Sequence, residues 1–468
     1  MVQPISTGFR HFPQHSKNLI FPALGLVVTA AWIVVCLVSK QPGKSTLPVF
    51  LACALVIIVC SGLAVWKHHL TGKRIAFKWI LLSAVLLRLI SLFGEPLFED
   101  DYYRYMWDGY QTATTHDPYT QAPAAFFDQD VPEVFEPVLS LINYSDLATV
   151  YGPVTQWVFA IGYHVSAAEV WPLQLMAAIA DLLVLCLLYR LGAGNALLLY
   201  AWYPLILKEF SLTAHPDIYA ILLMLTGVFF AYRQLAVLAG IAIGLAFGCK
   251  VFAILVIPWL VTSGWRARQW ATFSVALIAT LSLITLWYGS INIWIPEGLK
   301  AMADNWLFNA PLYSLLLNWL EFHIIKLLLA LLFIAFATTA FCYRQFYRDT
   351  SAFQTTDNVF QRPEKPWLLS AGAFRGDWLY ALFLLSIPAL NPWYVAWVLP
   401  FAVLFPRWWS WTASYAVLLS YWYGGYIGAT GLESQRVSST VMAIEYSIVI
   451  IIPFLAWALM KRREDTVA

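Results

Sequence analysis

One apolar run after another fills this chain. Outside a single loop, stretches of about 14 to 22 apolar residues follow each other, parted only by short charged or Pro/Gly turns. Over such lengths in lipid, only a helix satisfies its own backbone. Composition agrees, since 61% hydrophobic and 12% charged residues leave too little polar surface to cover a soluble globule of 468 residues. The expected fold class is therefore all-α, a polytopic transmembrane helix bundle. Spans are expected near residues 18–39, 48–66, 77–94, 170–190, 195–207, 217–232, 235–248, 251–262, 269–288, 323–343, 376–390, 393–405, 408–427 and 440–460, about 14 in all. Gly244, Gly248 and Pro258 interrupt the shortest pair, 235–248 and 251–262, with Lys250 between them, so that pair could be one broken or re-entrant hairpin.

Basic residues orient the bundle. With the amino terminus placed in the cytoplasm, 19 of the 28 Lys and Arg fall inside, eight outside, and Arg88 lies within a span. An even span count returns the carboxy terminus to the same side. On this placement the segment from Glu95 to Glu169 is extracytoplasmic, with twelve acidic residues and a single basic one, Arg104. The first apolar run is span-length without a clear cleavage site, and is expected to be an anchor. The six cysteines lie in or at the ends of apolar runs with no CxxC pair, which argues against disulfide or zinc chemistry. A net charge of +2 spread over short turns, with no basic stripe, excludes nucleic acid as a partner.

Most of the chemistry-bearing side chains gather in one place, residues 98–123, FEDDYYRYMWDGYQTATTHDPYTQAP. Three consecutive carboxylates, Glu99, Asp100 and Asp101, directly follow the 77–94 run. A helix beginning near Asp100 puts Asp101, Arg104 and Asp108 at i, i+3 and i+7 on one face, an acid-base-acid ladder with Tyr105 beside it. Carboxylates also cap helix N-termini, but capping accounts for one acid and leaves the rest over. Arg88, buried in a span, needs an acidic partner of the site or a path to the headgroups.

DDYYRYMWDG followed by DPYTQAP resembles the DDxYRYxWDG and NPYxxAP pattern of bacterial GT-C superfamily glycosyltransferases, mannosyltransferases among them. Tyr151-Gly152-Pro153 with Gln156 is similar to their Y-P-P-x-x-Q segment. LLLYAWYPLILKEFSLTAHPD, LAGIAIGLAFGCK ending at Lys250, FNAPLYSLL and NPWYVAWVLP also match, so the resemblance runs from Arg88 to about Pro400. His116-Asp117 stands where the family usually has Gly-Asn, a change that could alter acceptor contacts. Gly152 replaces the first proline of its pair, which is expected only to loosen a helix start.

The resemblance implies a membrane glycosyltransferase that moves a hexose, with mannose the family's commonest sugar, from a polyprenyl-phosphate donor to a glycan- or lipid-linked acceptor. Transfer is expected on the outer face of a bacterial inner membrane, with inversion. Four segments are expected: 1–76, a transmembrane hairpin; 77–343, the catalytic core with loop 95–169; 344–376, a cytoplasmic linker; and 377–468, further helices. Asp100, Asp101 and Glu99 are the catalytic candidates. Arg104, Lys250 and Arg88 are the cations for the donor phosphate, although Lys250 could instead snorkel. Asp108, His116, Tyr119, Tyr151, Gln156, His215, Asp217, Trp393 and Tyr394 are supporting or acceptor-side candidates. His215 and the NPWY turn read equally as ordinary turn residues with interfacial aromatics. Asp100 and Asp101 could hold Mg²⁺ or Mn²⁺, but enzymes of this kind that take a monophosphate-linked sugar resemble metal-independent ones, so no metal or cofactor is expected. A transporter or lipid flippase is the rival reading; it should carry internal repeats and midplane acids, and beyond Asp181 neither is evident.

Overall fold

The computed structural model describes residues 20–43, 45–72, 74–260, 265–351, 376–405, 408–422 and 437–467, and among these it is helical throughout with no named strand. In chain order the helices used below are α1 (Ile20–Ser39), α2 (Thr46–Leu70), α3 (Phe77–Ser91), α4 (Asp101–Thr115), α5 (Pro153–Val165) and α6 (Trp171–Arg190). Then follow the broken α7 (Leu197–Leu212), α8 (Asp217–Tyr232), α9 (Ala236–Cys249), α10 (Val251–Leu260) and α11 (Ala267–Tyr288). The series closes with α12 (Glu297–Asn305), α13 (Pro311–Leu316), α14 (Phe322–Ser351), α15 (Gly376–Ser386), α16 (Pro392–Leu404), α17 (Trp408–Ala416) and α18 (Ser439–Val467).

Among the described residues six helices, α1, α2, α6, α11, the first 18 residues of α14 and those of α18, are long and apolar enough to cross a membrane, or seven if the bent pair α7 and α8 is one span. The shorter apolar helices α9, α10 and α16 fall below that length. Large side chains face outward along these elements, among them Leu26, Val275, Leu286 and Ile450, a surface that suits lipid and not water. The core between them runs from α1 through α9 to α16.

Two local features depart from the sequence expectations, and a third meets one. The 195–207 run continues as α7 to Leu212, ending in a π-turn over Leu207–Leu212, and its axis then bends by 114° into α8. The expected linker at 344–376 begins as helix, because α14 continues to Ser351; its remaining residues up to 375 lie outside the described ones. The break at Lys250 is present, an extended residue (φ −155°, ψ 131°) between α9 and the 3₁₀ turns that open α10.

Loop 95–169 is a folded cap with its own small core. Tyr105 and Trp107 of α4 pack there with Phe135, Phe159 and Leu173. Helices α4 and α5 cross closely because Gly109 has no side chain; a Cβ there would stand 2.4 Å from the Phe159 carbonyl oxygen. Gly152 plays the same part at the foot of α5, where a Cβ would lie 2.3 Å from the carbonyl oxygen of Gly248 on α9. The glycine in place of proline therefore does more than loosen a helix start: it docks the cap on the bundle.

Candidate active site

Asp100 and Asp101 open α4 at the wall of a cavity of about 640 Å³ between the cap and the bundle. Asp100 is the N-terminal flanking residue but makes no capping hydrogen bond, so capping does not explain it. The Asn143 side-chain amide donates to both aspartates, to Asp100 Oδ1 at 2.5 Å and to Asp101 Oδ1 at 2.9 Å. Tyr151 Oη donates to Asp101 Oδ2 at 3.3 Å. Burial first, and then the neighbouring charge of Asp101, raises the Asp100 carboxyl to about 6, a value suited to exchanging a proton near neutrality.

Glu99 belongs to a second, deeper knot. Its carboxylate accepts from Lys208 Nζ, from Tyr421 Oη at 2.7 Å and from His215 Nε2. Lys208 also reaches Glu209 at 3.1 Å and the Tyr421 hydroxyl at 2.6 Å. His215 is fixed from two further sides, by the Tyr105 hydroxyl at 2.9 Å on Nδ1 and by the Trp393 ring stacked at 4.1 Å. Burial opposes charge on Glu99, but His215 and Lys208 more than offset it and hold the carboxyl below the ordinary range. An acid so committed is a poor general base. Phe98, next in the chain, takes a left-handed φ of 66° and is clasped between the rings of Phe50 and Tyr421, a strained conformation of the kind that persists only where packing enforces it.

The remaining candidates fall into three groups. Lys250 lies on the cavity wall, over the Tyr394 ring at 4.2 Å, and pairs with both oxygens of Asp217 at 2.7 Å; Trp397 Nε1 donates to the same carboxylate at 2.6 Å. It is thus anchored and only partly exposed, not snorkelling. Asp108 is buried away from the cavity, held by the Thr149 hydroxyl and by Gln156 Nε2 at 3.0 Å. Tyr119 braces the cap through a hydrogen bond to the Tyr151 carbonyl at 3.2 Å.

Three expectations need correcting. Arg104 ion-pairs with neither Asp101 nor Asp108 among the described residues; its guanidinium is spent on three backbone carbonyls. Arg88 does not reach the cavity, because it is locked inside the bundle to Asp181 of α6 at 2.6 Å, where Tyr200 also donates to the aspartate. His116 is an exposed left-handed residue (φ 60°) that ends α4, and it lines no part of the cavity. The helix period placed these side chains on a face correctly. It could not say that loop carbonyls, or an aspartate 93 residues on, would outcompete the expected partners.

Lys208, Glu209, Asn143 and Tyr421 escaped the sequence reading. The adjacent Lys-Glu pair between the apolar run 195–207 and His215 was the available signal, since two charges there are costly unless partnered. Asn143 and Tyr421 have no local signal at all. Glu99, Glu209 and His215 each offer a ligand atom within 4.8 Å of the others, a spacing that could hold a metal ion. Lys208 Nζ stands hydrogen-bonded to both of those carboxylates, so an ammonium already bridges the two acids of the trio. The Asn143 N–H groups likewise occupy the space between Asp100 and Asp101 where an ion would sit.

A family model of the alpha-(1->6)-mannopyranosyltransferase N-terminal domain, the MptA_B family, matches residues 22–266. The chain belongs to that family. It is a mannosyltransferase, and the likeness to GT-C-type enzymes read from the loop motifs holds. All the carboxylates of the mannosyltransferase's candidate site, with Lys208, His215 and Lys250, fall within the matched residues, whereas Trp393, Trp397 and Tyr421 come from beyond them. No curated protein and no solved structure matches the chain.

Proposed function

We propose that this mannosyltransferase takes mannose from a polyprenyl-phosphate-linked donor and passes it, with inversion, to a glycan- or lipid-linked acceptor. The reaction takes place on the extracytoplasmic face of a bacterial inner membrane, with both termini cytoplasmic and α3, α7 to α10 and α15 to α17 completing a bundle of about 14 spans. The observation that carries the reading is the cavity's mixed lining. The charged side chains of Asp100, Asp101 and Lys250 share its wall with the apolar ones of Trp294, Met302, Trp306, Phe333 and Phe383, as a charged sugar phosphate on an apolar tail requires.

In this mechanism the acceptor hydroxyl loses its proton to one aspartate of the pair as its oxygen attacks the anomeric carbon. The bond from that carbon to the phosphate oxygen breaks, and the polyprenyl phosphate leaves with one more negative charge. Lys250 supplies an ammonium for that charge, kept in place by Asp217 and the Tyr394 ring. Glu99, bound to Lys208 and His215, shapes the wall and does not take the proton. The test replaces each aspartate isosterically and measures mannose transfer from a radiolabelled polyprenyl-phosphate donor into membrane extract. Asp100→Asn or Asp101→Asn, whichever removes the base, should lower turnover roughly 10²-fold or more with folded yield near wild type. Wild-type turnover in both variants would overturn the assignment.

A further inference from the structure

Arg104 borders the cavity, and three of its five N–H donors go to backbone carbonyls. Nη1 donates to the Leu147 carbonyl at 2.8 Å, and Nη2 to the carbonyls of Asn143 at 3.1 Å and Tyr144 at 2.9 Å. Its side chain is buried, and a planar fork can serve three converging acceptors in a way a single ammonium cannot. Those carbonyls belong to one tight turn: Leu147 N donates to Tyr144 O at 2.9 Å, and Tyr144 takes a left-handed φ of 47°. The turn is the one that delivers the Asn143 amide to the two aspartates.

We propose that Arg104 and Asn143 form one positioning unit for the transfer reaction: the guanidinium holds the turn at 143–147, and the turn holds the Asn143 amide as a cross-brace between Asp100 and Asp101. The inference rests on those aspartates being the catalytic pair. An amide nitrogen carries two hydrogens, one for each carboxylate, so a single side chain sets the rotation of both. Both bonds go to Oδ1, which leaves the Oδ2 atoms for other work, that of Asp101 beneath the Tyr151 hydroxyl. Two like charges side by side repel, and a donor shared between them is what keeps them parallel at the cavity wall. Arg104 thus acts on the reaction through a loop 39 to 43 residues away in the chain, and not as a ligand of the donor phosphate.

The two roles separate in kinetics. As positioning residues, Asn143→Ala and Arg104→Lys each lower kcat, Asn143→Ala on the order of 10²-fold because misplacing a reacting group by an ångström has that effect, while the KM for polyprenyl-phosphate mannose stays near wild type. The double variant Arg104→Lys/Asn143→Ala should be no slower than Asn143→Ala alone, since both changes cut the same chain of contacts. Asn143→Asp, which keeps the shape and removes the donor, should lose at least as much kcat as the alanine. Arg104→Gln repeats the KM measurement where the lysine variant yields no folded protein. A raised donor KM with kcat intact in an Arg104 variant, or losses that multiply in the double variant, would overturn the proposal. Full kcat in Asn143→Ala while Asp100→Asn or Asp101→Asn is inactive would sink the positioning unit alone; active aspartate variants would instead sink the catalytic reading beneath it.

Discussion

Replacing Lys208 by methionine removes one ammonium and strands two carboxylates. Lys208 and Glu209 are both wholly buried and Glu99 is nearly so, and the ammonium bonds both acids and the Tyr421 hydroxyl. Methionine preserves the length and the apolar stem, so the volume lost is small, and the cost is electrostatic. Breaking a buried ion pair by deleting one partner typically costs about 3 to 5 kcal/mol, a large share of the roughly 5 to 15 kcal/mol that holds a domain folded. His215 lies against Glu99 and can take a proton to offset one of the two charges, which leaves Glu209 as the unmatched one. The double variant Lys208→Met/Glu209→Gln should therefore regain most of the loss, because the amide removes the unmatched charge and keeps the shape beside the Tyr421 hydroxyl. The assay is the fraction of monodisperse protein in detergent after stepwise heating, read for wild type, single and double variants side by side. Co-melting of Lys208→Met with wild type, or a double variant that melts below the single one, would refute the reasoning.

Turnover should fall as pH drops through about 6, since burial and then the Asp101 charge raise the Asp100 carboxyl to about 6 and the base works only when deprotonated. The same raised value means that folding takes up a proton there, so this group's contribution to stability grows as the pH falls while activity declines; a flat pH–rate profile through that range would exclude Asp100 as the base. Gly152→Ala places a methyl 2.3 Å from the Gly248 carbonyl oxygen, where backbone cannot yield cheaply, and should cost about 1 to 3 kcal/mol, whereas Gly194→Ala meets nothing within 4 Å and should leave the melting profile unchanged. Arg88→Met should lower folded yield by leaving Asp181 unpaired, about 3 to 5 kcal/mol, with the donor KM of the surviving protein unaltered; a raised KM at wild-type stability would return Arg88 to the site.

The sequence alone determined that this chain is a helix bundle for lipid, because apolar run length is a local property and a long unbroken apolar run in hydrocarbon satisfies its own backbone only as a helix. It also pointed to Asp100 and Asp101, whose three-acid run at the end of an apolar stretch has no cheap structural excuse, and to the break at Lys250. Tertiary structure alone decided which charges satisfy one another. Glu99 was one of three equivalent acids until packing set it beside Lys208, His215 and, 322 residues away, Tyr421. Arg104 sat at ladder spacing from two aspartates but found the carbonyls of the cap loop. Arg88 found Asp181 instead of an acid of the site. Helical periodicity fixes the face on which a side chain stands, and it carries no information about what the opposite surface offers. Backbone carbonyls, the acceptors that claimed Arg104, look the same in every sequence, and only the path of the chain decides where three of them converge.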